Sequence, residues 1–82
     1  MTKAQALQAT LLAMAFEYTR KQVDDYREAV REGRVEVPHL KYMWKKYGDH
    51  FKSDYQKAKR DLALHKSRLV FWRERLKVLK SR

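Results

Sequence analysis

The sequence predicts an all-α fold, an antiparallel helical hairpin, and three observations carry that expectation. Gly and Pro are scarce, two and one among 82 residues, too few for the turns of an all-β domain or for a long disordered linker. Thr2-Lys3-Ala4-Gln5 has the T-x-x-Q form of a capping box, in which the Thr hydroxyl accepts an orphan backbone N–H and the Gln reaches back. A heptad of apolar residues then runs through the second half of the chain.

The first helix is expected over about residues 3–32. Helix-favouring residues follow the capping box without a breaker, and the apolar positions fall on two lines. One is Ala4, Leu7, Leu11, Met14 and Tyr18; the other is Leu12, Phe16, Val23, Tyr26 and Val30. Gly33 reads as a C-terminal stop. Pro38 disfavours helix at Val37 and suits the first turn of a new helix, which places the turn at 33–37.

The second helix is expected over about residues 38–80. Its a positions are Gly48, Tyr55, Leu62, Leu69 and Leu76, and its d positions are Trp44, Phe51, Ala58, His65, Trp72 and Leu79, with Gly48 and His65 the two weak points. Tyr47-Gly48-Asp49 is also a possible stop and restart, which would leave a short helix before Gly48 and a third helix after it. The heptad passes through Gly48 without a slip and an interior Gly costs only ~1 kcal/mol, so one long helix, kinked or broken at Gly48 at most, is favoured. Every e position of this register is basic: Lys45, Lys52, Lys59, Lys66, Arg73 and Lys80.

A turn centred near Val35 sets residue i opposite roughly residue 71 − i. Asp24, Asp25 and Glu28 then answer Lys41, Lys45 and Lys46, and residues beyond about Phe71 overhang the first helix. The C-terminal helix is apolar at b and c in addition to a and d, so Leu64, Val70, Phe71, Trp72, Leu76 and Leu79 are expected at a protein interface. The simplest such interface is a homo-oligomer, a two-fold dimer closing a helical bundle. The whole of 1–82 reads as one helical-hairpin domain, near the size where a monomeric core only just suffices.

Charge sets the functional expectation. Residues 1–37 hold six basic and six acidic side chains, and residues 38–82 hold fourteen basic against four acidic, which accounts for the net +10. Residues 57–82 carry ten cations against Asp61 and Glu74. A cationic helix face often serves only as solvated surface or as a device that sets helix pairing. An excess with no acids to answer it repels itself, and phosphate backbones are its commonest partner. Lys59, Arg60, Lys66, Arg68, Arg73, Arg75, Lys77 and Lys80 are therefore the expected contacts to nucleic acid, DNA or RNA without sequence specificity, for an architectural or accessory factor. The alternative is a protein-interaction module, an inhibitor, adaptor or assembly component, docking its basic and apolar C-terminal helix on an acidic groove of a larger protein. Binding to a membrane surface is a weaker third reading.

Other classes find little support. His50/Asp54 and Asp61/His65 have the i,i+4 spacing of ligand pairs but no third ligand, so no metal and no cofactor is expected. No nucleophile–base arrangement, Gly-rich phosphate loop or paired-carboxylate motif is present, so no enzyme is expected. The aromatics from Tyr42 to Tyr55 resemble a base-stacking platform, yet Trp44, Phe51 and Tyr55 fall on the apolar seam and read as core. There is no Cys, no apolar run of membrane-spanning length, and Gln5, Gln8 and Thr10 interrupt the one stretch resembling a signal peptide. A cytoplasmic or other reducing compartment is the expectation.

Overall fold

The computed structural model describes residues 2–81; Met1 and Arg82, the latter counted among the cations of 57–82, lie outside the described residues. Two helices form an antiparallel hairpin, with no strand among the described residues. Helix α1 is Lys3–Tyr47, a single 3-10 turn spans Asp49–Phe51, and helix α2 is Lys52–Lys80. The capping box is present: Thr2 Oγ1 accepts from the Gln5 N–H at 3.2 Å, and the Thr2 N–H donates to Gln5 Oε1 at 2.9 Å.

The turn lies at Gly48, not at 33–37, and the long helix is the first, not the second. Gly33 and Pro38 both sit inside α1. The reason is a seam that local breaker signals hide. Phe16, Thr19, Val23, Tyr26, Val30, Gly33, Val37, Leu40 and Trp44 are all buried or half-buried, alternating four and three residues apart as a and d positions do. At Gly33 the missing side chain is a packing feature: a Cβ there would stand 2.8 Å from Leu62 Cδ1 of α2. Pro38 is exposed on the outer side, where a lost backbone hydrogen bond is left to water.

Gly48 ends α1 for a backbone reason. Its φ of 107° and ψ of −175° belong to a region that only glycine enters readily, and its N–H caps the Trp44 carbonyl at 3.0 Å. Asp49 follows, and its carboxylate accepts the Trp44 indole N–H at 3.0 Å, tying the turn to the last seam residue of α1.

The α2 seam matches the sequence register. Phe51 of the 3-10 turn and then Tyr55, Ala58, Leu62, His65, Leu69, Trp72, Leu76 and Leu79 of α2 are each buried or half-buried while their neighbours are exposed. The core is thin: Val23, Val30 and Ala58 are its only buried hydrophobic members among the described residues, with Thr19 satisfying its hydroxyl on the Ala15 carbonyl at 2.7 Å.

Moving the turn moves the overhang. Contacts such as Gly33–Leu62 and Tyr26–His65 set residue i opposite roughly residue 93 − i. At 1.5 Å per residue α1 is ~67 Å long against ~44 Å for α2, and the molecule is 66 Å in its longest dimension. The unpaired end is therefore the start of α1, up to about Leu12. Trp72, Leu76 and Leu79 do not overhang; they pack on α1, with Trp72 edge-on to Tyr18 at 5.8 Å. Asp24, Asp25 and Glu28 share a helix with Lys41, Lys45 and Lys46 and do not face them.

Candidate functional site

An antiparallel two-helix seam has two flanks, one lined by the e positions of both helices and one by the g positions. On α2 the e positions are Lys52, Lys59, Lys66, Arg73 and Lys80. On α1, with Phe16, Val23, Val30, Val37 and Trp44 as a, they are Arg20, Arg27, Arg34 and Lys41. All nine are basic and all nine are exposed. The register sets them opposite one another as four like-charge rungs: Lys41 with Lys52, Arg34 with Lys59, Arg27 with Lys66, Arg20 with Arg73. Lys80 extends the file beyond the last rung. Successive rungs are one heptad, ~10.5 Å, apart. Lys52 lies over the Trp44 ring with Nζ 5.8 Å from its centroid, which places the e flank beside the a positions as the register requires.

The g flank is different. Near the turn, Glu32, Glu36, Asp54 and Asp61 line a groove of about 370 Å³ with Lys57, His65 and Leu62. Among the described residues, no three of its carboxylates and imidazoles converge to hold a metal ion. Further along, Arg68 Nη1 donates to the Tyr26 hydroxyl at 3.2 Å, its guanidinium carbon 6.0 Å from that ring. Towards the open end this side becomes apolar. Phe71 meets Trp72 edge-on at 5.2 Å and lines, with Glu74, Arg75, Val78 and Leu79, a groove of about 460 Å³. Leu7, Leu11, Met14 and Tyr18 of α1 are more than half exposed.

The flanks thus separate charge across the hairpin rather than along it. The acids of α1 fall at positions other than e. Among the described residues every ion pair is local to one helix: Lys21–Asp25 at 3.9 Å, Arg31–Glu28, and Lys77–Glu74 at 3.5 Å. Among the described residues no carboxylate reaches across to the basic edge.

The expected contact residues divide accordingly. Lys59, Lys66, Arg73 and Lys80 share the basic edge. Lys77 lies beside it, engaged with Glu74. Arg60 is on the outer face of α2, and Arg68 and Arg75 are on the opposite flank. Lys45, grouped with the e positions by the sequence register, belongs to α1 and lies off the edge. Of the expected interface residues, Leu64, Val70 and Phe71 are exposed, whereas Trp72, Leu76 and Leu79 belong to the seam. Arg20, Arg27, Arg34 and Lys41 are new to the site. Their signal is the same seven-residue spacing seen in α2, visible once the α1 heptad is carried through Gly33 and Pro38.

Among the described residues no helix is long and apolar enough to cross a membrane. The molecule is an antiparallel helical hairpin with one wholly cationic edge. Comparison with protein-family models, with curated proteins and with solved structures finds no match for this chain.

Proposed function

We propose that the hairpin is a non-enzymatic nucleic-acid-binding protein that grips the phosphate backbone with its e–e edge, without base specificity. The observation that carries this reading is the set of four opposed like-charge rungs. Packing alone gives no reason for them: flanking positions that serve helix pairing carry complementary charges, and like charges oppose pairing. A polyanion converts each repulsive rung into two phosphate contacts and releases the counterions condensed on the phosphates.

Charge reversal at two rungs tests the assignment. In Arg27→Glu with Arg34→Glu, binding to nucleic acid at low salt, read by fluorescence polarisation, should fall more than tenfold, with a flatter dependence of affinity on salt. Lys21→Glu with Arg60→Glu changes the net charge equally but sits on the outward faces of the two helices. This control should lose at most a few-fold. Equal losses in the two variants would mean that total charge, not the edge, drives binding.

A second reading rests on the exposed apolar side chains at the open end. Leu7, Leu11, Met14, Tyr18 and Phe71 form a surface wider than isolated exposed residues account for. We propose that a second copy of the chain covers it, the unpaired starts of two α1 helices supplying each other's missing neighbour in a helical bundle. Sedimentation should then show a dimer that Leu11→Lys with Phe71→Lys dissociates; a concentration-independent monomer would remove the idea.

A further inference from the structure

Resting on the nucleic-acid reading, we infer that the basic edge lies lengthwise on a double-stranded phosphodiester ligand, covering about 12 base pairs. Single strands are then the poorer ligand.

Four features of the edge lead to this ligand class. The first is straightness. The hairpin is a rod of 66 × 17 × 14 Å even with Pro38 inside α1 between Arg34 and Lys41, and the cations of α2, a helix without Gly or Pro, span ~42 Å from Lys52 to Lys80 at 1.5 Å per residue. A straight rigid file makes most contacts with a ligand that is itself straight over that length. Duplex DNA, with a persistence length of ~50 nm, is such a ligand, whereas a flexible single strand has to be ordered to match it. Dividing the span by the ~3.4 Å rise of a base pair gives the site size.

The second feature is that the cations form two files. Packed helices lie ~8–10 Å apart, so the α1 and α2 files present charge across a width as well as along a length. A duplex offers backbone from two strands to such a surface. A single strand occupies one file and leaves the other self-repelling.

The third is the lack of a stacking surface. Proteins that hold single strands combine cations with aromatic faces on which bases stack. Here the exposed Tyr18 and Phe71 belong to the other side of the hairpin, and the exposed Tyr42 and Tyr47 each have Lys46 over the ring, its Nζ 5.5 and 5.3 Å from their centroids. Trp44, which borders the basic edge near the turn, has Lys52 over its ring and Tyr55 tilted against it at 5.6 Å. Among the described residues the aromatic rings near this edge are thus already engaged by lysines.

The fourth is the acidic groove of the opposite flank, where Glu32, Glu36, Asp54 and Asp61 gather. A flexible polyanion cannot wrap the turn half of the hairpin without meeting it. Over the turn half of the hairpin, contact is thereby confined to one edge.

The experiment titrates the full chain, at low salt, into fluorescein-labelled DNA duplex, RNA duplex and oligo-dT single strand of equal length, about 24 nucleotides per strand, and into DNA duplexes from about 6 to about 24 base pairs. We expect at least one duplex to bind about tenfold or more tightly than oligo-dT, and affinity to climb steeply up to about 12 base pairs and flatten beyond. The DNA and RNA arms show which duplex supplies the phosphates. Oligo-dT bound as tightly as both duplexes would overturn the inference while leaving the nucleic-acid reading intact. An affinity already flat from about 6 base pairs would do the same, since it means contact by one tip rather than along the edge. Binding to none of the ligands removes both.

Discussion

A Cβ added at Gly33 would stand 2.8 Å from Leu62 Cδ1 and 3.3 Å from Leu62 Cβ, whereas one added at Gly48 meets nothing closer than 3.8 Å. The two glycines are therefore required for opposite reasons, one for space and one for backbone conformation. Gly33 is helical, so alanine there gains ~1 kcal/mol of helix propensity. The overpacking it causes costs ~1–3 kcal/mol, and because Leu62 is itself a seam residue the clash should win, for a net loss near 1 kcal/mol. At Gly48 alanine is free of clashes but must hold a φ of 107°, at ~1–3 kcal/mol. D-alanine at Gly48 separates these causes, because the mirror-image residue reaches that backbone without strain. Thermal unfolding followed by circular dichroism should rank D-alanine at Gly48 close to the parent chain, with L-alanine well below it. A D-alanine variant as unstable as the L-alanine one would disprove the backbone explanation.

Pro38 decides the matter at the level of the helix. Inside α1 it removes one backbone hydrogen bond and crowds the carbonyl of Arg34, a cost of ~3 kcal/mol in a helix interior. Were residues 33–37 a turn, the same proline would be stabilising. Pro38→Ala therefore distinguishes the two topologies by sign: the continuous helix predicts a gain of ~1–3 kcal/mol in urea unfolding, the turn a loss. Why α1 accepts such a breaker is visible in the seams. With the chain reversing at Gly48, the nine seam residues of α1 face Phe51 of the 3-10 turn and the eight of α2. A reversal near Val35 would strand Phe71 to Leu79 beyond the end of their partner. Hydrophobic pairing over the full seam outweighs one proline and one glycine. The α2 seam was legible in the sequence because no breaker interrupts it between Tyr55 and Leu79. The turn was not, since Gly33, Val37 and Pro38 carry ordinary local stop signals, and only the long-range matching of two seams contradicts them. The site inherited that error. Lys59, Lys66, Arg73 and Lys80 could be found from α2 alone, but Arg20, Arg27 and Arg34 join them only when α1 runs on to Tyr47.

For the whole molecule, charge that looks like a basic half in the linear sequence becomes a basic edge in three dimensions, and this has an energetic consequence for the free hairpin. Four rungs of like charge face each other across a core whose buried hydrophobic side chains are Val23, Val30 and Ala58. Each repulsion is small because the groups are exposed and screened, and an exposed ion pair in its place is worth only ~0.2–1 kcal/mol. Set against the ~5–15 kcal/mol of a small domain, two such replacements still matter. Arg27→Glu and Arg34→Glu, the pair of changes that should weaken nucleic-acid binding more than tenfold, place carboxylates opposite Lys66 and Lys59 and turn two repulsive rungs into attractive ones. The variant should be more stable than the parent by ~1 kcal/mol, a rise of ~4–8 °C in the unfolding midpoint at low salt. Added salt should narrow that difference by screening both the repulsion and the new attraction. Binding and stability are thereby predicted to move in opposite directions, which a merely structural role for the edge does not allow. If the variant lost binding and stability together, the arginines would be holding the hairpin rather than a polyanion. The four-rung edge would then have to be explained as packing.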